Sequence, residues 1–252
     1  MYSRKLTFSF LLFATGLFQH HLLQAQTKPV FVIVHGAWGG SWAFKKVDSL
    51  MTEKGAIVYR PSLTGMGERS HLSDPRIGLQ MHINDVVNMI LFEDLHDVIL
   101  VGHSYGGMVI TGVADSLPGR IKKIIYLDAF VPSDGESVLG MLAPPRDEFI
   151  KKMIQGDFII PAWLKPGTPL PHDVPQPVKT FSDSIVLKNR AKNISTVYIL
   201  TVEKGKSAKD DDFALQAARA GKKGWTILQL EADHNPQWSA PEQLANLLFE
   251  NK

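Results

Sequence analysis

The chain has 252 residues, of which 44% are hydrophobic, and it contains no cysteine. This length suits one large α/β domain or two small ones, and the lack of cysteine excludes disulfides and thiolate metal sites. Lys and Arg number 27 against 25 Asp and Glu, so the composition predicts no basic footprint for nucleic acid.

The first 25 residues have the pattern of a secretory signal peptide. Arg4 and Lys5 precede a short apolar run, and Ala25 is a small residue suited to cleavage. We predict cleavage after Ala25, a secreted or periplasmic mature chain over residues 26–252, and no stable membrane span after processing. An uncleaved anchor is the alternative. Removal of the two basic residues would leave 25 basic and 25 acidic side chains.

A strand is predicted at Val30–Val34, because its unbroken β-branched and aromatic run is typical of a parallel strand buried on both faces. The turn His35-Gly36-Ala37 follows it. We expect the backbone N–H of Ala37 to form half of an oxyanion hole, and the ring of His35 to hold the loop by a local hydrogen bond. Helices are predicted further on, at 42–54 and 81–95.

The most informative stretch is a strand, a glycine-flanked serine and an apolar helix at 98–116. Gly102 and Gly106 lie two residues before and two residues after Ser104. So sharp a turn has no room for side chains at those glycines, and its strain lifts the serine hydroxyl clear of the sheet. The pattern predicts that Ser104 is a nucleophile and that the backbone N–H of Tyr105 is the second oxyanion donor.

Two carboxylates are candidates for the acid that orients a catalytic base. Asp128 follows the predicted strand at 124–127, and Glu203 follows the predicted strand at 197–201. An unpaired carboxylate at the tip of an apolar strand would be costly, whereas Glu203 has lysines around it that can match its charge in solvent. These features favour Asp128, with Glu203 as the alternative acid. A role for Asp128 in capping the next turn alone also stays open.

The proline-rich segment between these two strands, about 133–190, is too long for a simple connection, and we predict that it forms a cap over the site. Its large apolar side chains are candidates for lining a substrate cavity, although such residues more often form a cap's own core. The candidates are Met141, Met153, Phe158 and Trp163.

The base is predicted near the C-terminus. His234 follows an apolar strand at 225–230 and precedes a terminal helix at 239–249, which is where a doubly wound hydrolase carries its histidine. Ser239 and Glu242 have capping-box spacing at the start of that helix. Among the other histidines, His103 is expected to point away from the nucleophile. Four further histidines lie outside the signal peptide and the turn at residues 35–37. They are predicted to be ordinary surface or loop residues: His71, His82, His96 and His172.

From Val30 onward, these motifs resemble the α/β-hydrolase superfamily. Within it the chain is similar to the esterase group that includes plant methyl-salicylate esterases, hydroxynitrile lyases and bacterial serine-dependent macrolide esterases. The resemblance rests on four stretches: His-Gly-Ala-Trp at 35–38, residues 61–70, the elbow with its second glycine Gly107, and residues 126–132.

The resemblance implies a doubly wound, mostly parallel sheet with a cap inserted between two late strands. The plant esterases carry an aspartate after the later strand, where this chain has only Glu203. An aspartate at the earlier strand tip, as at Asp128, is similar to the arrangement in some haloalkane dehalogenases. This departure from the plant pattern further favours Asp128 as the acid.

The sequence thus predicts an α/β protein with one catalytic domain: a serine-dependent hydrolase of small-molecule carboxylic esters or lactones, with macrolide lactones as a narrower hypothesis. It would act through an acyl-enzyme with no metal or organic cofactor. The oligomeric state is not predicted. Two alternatives remain: a cofactor-free lyase or haloperoxidase-like enzyme, and a non-catalytic ligand receptor. The lyase is disfavoured because the lyases carry threonine where this chain has Ala37, and lysine where it has Asn235.

Overall fold

The computed structural model describes residues 28–188, 191 and 193–252. The predicted signal peptide, residues 1–25, lies outside the described residues. Within the described part of the chain, no helix has the length and apolar character needed to cross a membrane.

The described chain alternates strands and helices along most of its length. Strands occur at β1 (Val30–Val34), β2 (Ile57–Tyr59), β3 (Val98–His103), β4 (Ile121–Leu127), β5 (Ile154–Gln155), β6 (Phe158–Ile159), β7 (Gln176–Pro177), β8 (Ser195–Val202) and β9 (Thr226–Glu231). Helices occur at α1 (Lys45–Glu53), α2 (Leu79–Phe92), α3 (Gly106–Ser116), α4 (Val138–Met141), α5 (Arg146–Met153), α6 (Lys179–Ser182), α7 (Ala214–Lys222), α8 (Pro236–Ser239) and α9 (Pro241–Glu250).

A six-stranded sheet forms the centre of the fold, in the order β2-β1-β3-β4-β8-β9. Every neighbouring pair in it is parallel. The carboxyl ends of β1, β3, β4, β8 and β9 therefore meet at one edge of the sheet, where an open α/β sheet places its ligand crevice.

Helices cover both faces of this sheet. Val32 and Val34 of β1 face one apolar core, which includes side chains of α2 and α3. Phe31 and Ile33 face the opposite core, which includes side chains of α1 and α9. Since successive strand residues point to opposite faces, burial on both faces explains why the strand is apolar at every position. The predicted doubly wound parallel sheet is confirmed.

The insertion between β4 and β8 contains the segment predicted as a cap, about 133–190. It carries α4, α5 and α6 together with a small antiparallel sheet in the order β5-β6-β7. Ile159 of β6 lies opposite Gln176 of β7, and both side chains are fully buried. The small sheet and the short helices add buried apolar residues to the same core that contains side chains of β1, α2 and α3.

The start of the last helix differs from the prediction. Ser239 ends α8, and Ala240 is the N-cap residue of α9 without a side-chain cap. Pro236 and Pro241 each begin a short helix, because the fixed φ of proline suits the first helical position. The hydroxyl of Ser239 donates to Asp233 Oδ1 at 2.8 Å, so the predicted capping box is wrong.

Candidate active site

Ser104 stands on a sharp turn between β3 and α3. Its φ is 53°, a left-handed conformation that few non-glycine residues adopt. A Cβ at Gly102 would lie 2.7 Å from the Gly106 carbonyl oxygen, and a Cβ at Gly106 would lie 2.6 Å from the Val34 carbonyl oxygen. A Cβ at Gly107 would be more crowded still, against the Phe130 carbonyl oxygen. Close backbone approach is therefore the reason for glycine at these positions.

A hydrogen-bonded chain links the serine, the histidine and the aspartate. Ser104 Oγ lies 3.0 Å from His234 Nε2, and His234 Nδ1 lies 2.6 Å from Asp128 Oδ2. Because the carboxylate can only accept, the imidazole donates from Nδ1 and its Nε2 is free to accept from the hydroxyl. The loops after β3, β4 and β9 supply these three residues from the same edge of the sheet.

Asp128 is fully buried at the tip of β4, with φ 44°. Its Oδ1 accepts from the Thr201 N–H at 3.1 Å, and its own N–H donates to Ile199 O at 2.8 Å. Burial raises the pKa of the Asp128 carboxyl, and the bond from Thr201 opposes that shift. Both carboxylate oxygens thus have a partner, and the second oxygen is left to orient the histidine.

Burial also determines the charge state of the histidine. It lowers the pKa of His234 to about 4, and the charge of Arg146 acts in the same direction. The Phe213 ring stacks on the imidazole with ring centroids 4.7 Å apart and planes 6° from parallel. At neutral pH the ring is therefore a neutral, oriented proton acceptor.

Glu203, the alternative acid, lies elsewhere. Its side chain is half exposed, and its carboxylate accepts a hydrogen bond from Lys206 Nζ. Within the described residues no hydrogen bond joins it to His234. The structure brings Asp128, and not Glu203, to the histidine.

The two predicted oxyanion donors border the serine. Ala37 and Tyr105 both line an apolar cavity beside Ser104. Among the described residues, neither backbone N–H has a hydrogen-bond acceptor. Two free N–H groups beside a nucleophile are what a developing oxyanion needs.

Two cavities open on Ser104 and His234. One, of about 440 Å³, extends under the cap and is lined by apolar side chains that include Phe130, Ile150 and Phe181. The other, of about 350 Å³, is lined by polar and aromatic side chains, among them Asn235 and Trp238. Both volumes fall in the range of roughly 300–1,000 Å³ typical of ligand pockets. A ligand that occupied both cavities would therefore pass directly over Ser104 and His234.

The cap side chains proposed as cavity lining have different positions. Trp163 lines both cavities. Met141, Met153 and Phe158 line neither of them, and Met153 is buried in the core of the fold. Among the described residues, no group of three or more His, Cys, Asp and Glu side chains could hold a metal ion.

Two other histidines have structural roles at the site. The Nε2 atom of His103 lies 2.8 Å from the backbone carbonyl oxygen of His234, so the His103 ring anchors the loop that carries His234. His35 Nδ1 donates to Gly36 O at 2.8 Å, and His35 Nε2 accepts from Leu63 N–H at 3.2 Å. The expected local role of His35 is confirmed.

The expectation that His82 is an ordinary surface or loop residue is wrong. Its side chain is fully buried on α2. Its Nε2 donates to Thr64 O at 3.0 Å, so its Nδ1 accepts from the Tyr105 hydroxyl at 2.9 Å. The signal was available in the sequence, since His82 falls on the helical repeat of the buried residues Leu79, Ile83, Val86 and Ile90.

Acid should destabilise the protein through its buried neutral histidines. Burial lowers the pKa of His35 and of His82 to about 4, whereas both titrate near 6.5 in the unfolded chain. Between these values the unfolded chain binds more protons, so the free energy of unfolding falls as pH falls from 6.5 towards 4. We expect a loss on the order of 2 kcal/mol per histidine between pH 7.5 and 4.5.

Urea unfolding at those two pH values measures this loss. His82→Gln keeps one donor and one acceptor but does not titrate, so its loss should be smaller than that of the wild type. An equal loss in both proteins would contradict the prediction.

Sequence comparison shows which known proteins this chain is similar to. The model of the alpha/beta hydrolase family matches residues 31–247. A carbendazim hydrolyzing esterase of Nocardioides sp. (strain SG-4G) is 35% identical over 240 residues, which cover 86% of this chain and 97% of that protein. Putative methylesterase 11 of Arabidopsis thaliana is 31% identical over 114 residues, which cover 45% of this chain and 29% of that protein.

Solved structures share the architecture. An extracellular alpha/beta-hydrolase from a Paenibacillus species superimposes with a TM-score of 0.75 at 23% identity, over 88% of this chain and 98% of that chain. A pyrethroid hydrolase from Sphingobium faniae JZ-2 gives a TM-score of 0.64 at 24% identity, over 89% of this chain and 97% of that chain. At these identities the likeness shows the fold.

Proposed function

Since the chain belongs to the alpha/beta hydrolase family, we propose that it hydrolyses carboxylic esters or lactones through an acyl-enzyme formed on Ser104. The observation that carries the proposal is the unbroken chain of hydrogen bonds from Ser104 through His234 to Asp128, at 3.0 and 2.6 Å. Esterase relatives, one of them matching over nearly its whole length, support the reaction class.

The reaction follows from the positions of these groups. His234 Nε2 takes the proton as Ser104 Oγ attacks the carbonyl carbon, and the N–H groups of Ala37 and Tyr105 stabilise the oxyanion. The imidazolium then gives its proton to the leaving alcohol as the carbon–oxygen bond breaks. Water deacylates the serine by the same steps. Asp128 stabilises the imidazolium and keeps Nδ1 protonated.

The substrate is proposed to be an ester with an apolar acyl or alcohol part, because the larger cavity is apolar and ends at Ser104. The names of the relatives suggest carbendazim and methyl esters as compounds to test. Macrolide lactones remain a narrower hypothesis for the same chemistry.

A substrate panel read by mass spectrometry tests the proposal. It should contain short-chain and aryl esters, methyl esters, carbendazim, a macrolide and a cyanohydrin. Release of an acid and an alcohol from an ester, or addition of one water to the macrolide to give a ring-opened hydroxy acid, supports the hydrolase. Release of hydrogen cyanide and a carbonyl compound from the cyanohydrin alone would support the lyase instead. Binding without turnover of any compound would support the receptor.

We also propose that the mature protein is exported. Cleavage after Ala25 should leave Gln26 as the first residue, because the preceding stretch has the basic start, apolar run and small residue that processing requires. N-terminal sequencing of protein from the periplasm or medium of the native host tests this. Recovery only from the cytoplasm with Met1 intact would contradict it.

A further inference from the structure

The loop that carries the Ala37 N–H contains a strained residue. Trp38 has φ 61°, and a bulky residue in the left-handed region is a genuine outlier. The Gly39 N–H donates to Ala37 O at 2.7 Å, which closes a three-residue turn around Trp38. Such strain persists only where the surrounding structure holds it in place.

The cap holds both sides of this strained residue. Gln176 Oε1 accepts from the Trp38 N–H at 2.8 Å, and the Val174 N–H donates to Trp38 O at 2.8 Å. Both partners belong to the insertion between β4 and β8. The backbone of the loop is therefore attached to the cap at two successive polar groups.

The Gln176 side chain is itself fixed. It is fully buried, and its Nε2 donates to Thr180 Oγ1 at 2.8 Å. The Thr180 hydroxyl in turn donates to Pro177 O at 2.7 Å. Since Thr180 Oγ1 can then only accept, the amide oxygen of Gln176 must face Trp38.

The same cap segment also contacts the other oxyanion donor. The Phe181 ring stacks on Tyr105, with centroids 5.5 Å apart and planes 5° from parallel, and it packs on Trp38 at 5.9 Å. Residues 176–181 thus touch both parts of the chain that carry the free N–H groups.

We propose that Gln176 is a positioning residue that assembles the oxyanion hole from the cap. By holding the Ala37–Trp38 peptide, it restricts the rotation of Ala37 and fixes the direction of the Ala37 N–H. The inference rests on the proposed acyl transfer at Ser104. It gives the cap a part in catalysis in addition to covering the substrate.

This role predicts a particular kinetic effect. The oxyanion exists in the transition state and not in the bound ester, so a misdirected N–H lowers kcat and leaves KM nearly unchanged. Gln176→Met removes the acceptor with little change in volume. We expect its kcat for p-nitrophenyl acetate to fall between about tenfold and about 100-fold, since removal of a whole donor costs more.

Two further variants separate positioning from stability. Gln176→Glu keeps an oxygen facing the Trp38 N–H but places a carboxyl group in a fully buried position. It should therefore be less stable than Gln176→Met yet retain more of kcat. Ile159→Ala removes buried apolar contacts beside Gln176 but leaves the hydrogen-bonding amide of Gln176 unchanged, so it should lower Tm and leave kcat near the wild-type value.

Measurement of kcat, KM and Tm for these variants, with Ser104→Ala as reference, tests the proposal. If activity depends on Ser104 but Gln176→Met keeps wild-type kcat, or if kcat simply follows Tm across the series, the positioning role is overturned and the proposed function stands. Should Gln176→Met fail to fold, Gln176→Asn withdraws the oxygen while keeping an amide and must also lose kcat. Hydrolysis that survives Ser104→Ala overturns both proposals.

Discussion

Replacement of Ser104 by alanine is expected to reduce kcat for p-nitrophenyl acetate on the order of 10⁶-fold, to the level left by the oxyanion donors and substrate binding. The Ser104 hydroxyl is hydrogen-bonded to His234 Nε2. Alanine has no oxygen that could form an acyl-enzyme. Steady-state kinetics with purified protein measures the loss.

The fold should survive this change. Ser104 Oγ makes its hydrogen bond to His234, whereas the elbow is held by backbone bonds, from Ser104 N–H to Leu127 O and from Phe130 N–H to Ser104 O. Ser116→Ala, at the far end of α3, is the matched control and should keep wild-type activity. Ser104→Gly should raise Tm relative to Ser104→Ala, because glycine relieves the strain of φ 53°. Turnover near the wild-type level in a folded Ser104→Ala protein would exclude the acyl-enzyme mechanism.

Ser104 could be predicted because its signal is local. The strand, the glycines and the helix stand in one continuous stretch, and crowding by nearby backbone excludes side chains at Gly102 and Gly106. The strand that leads to Ala37 was predictable for a similar reason, since β1 is buried on both faces and apolar at every position, and residues 124–127 before Asp128 share this pattern. The strand that leads to His234 is the edge strand β9, which is largely exposed.

The choice between Asp128 and Glu203 as the acid has no local sequence signal. β4 and β8 are neighbours in the sheet, so Asp128 and Glu203 both follow strands that end at the edge where His234 lies. Which carboxylate turns inward depends on partners distant in sequence, such as the Thr201 N–H that binds Asp128. From the sequence alone, only the neighbouring residues of the two carboxylates could be compared.

The cap is the least predictable part. Its strands have two residues each and two of its helices have four, too short to show a periodicity of two or of 3.6 residues. Gln176 carries no sequence signal for its contact with Trp38, 138 residues away in the chain. Contacts of this kind emerge only when tertiary structure brings the two segments together.

Asp128→Asn is expected to lower kcat by about four orders of magnitude, while Glu203→Gln keeps most of the activity. The Thr201 N–H can bind only the oxygen of the new amide, which turns the amide NH₂ towards His234. His234 Nδ1 must then accept, so its proton moves to Nε2, where it blocks removal of the proton from Ser104. Glu203 lies in solvent beside Lys206, and its loss changes an exposed ion pair of little energetic weight.

The same kinetic assay, with Tm to verify folding, compares the two variants. The opposite ranking would assign the acid to Glu203, and equal partial losses would mean that both carboxylates act on His234.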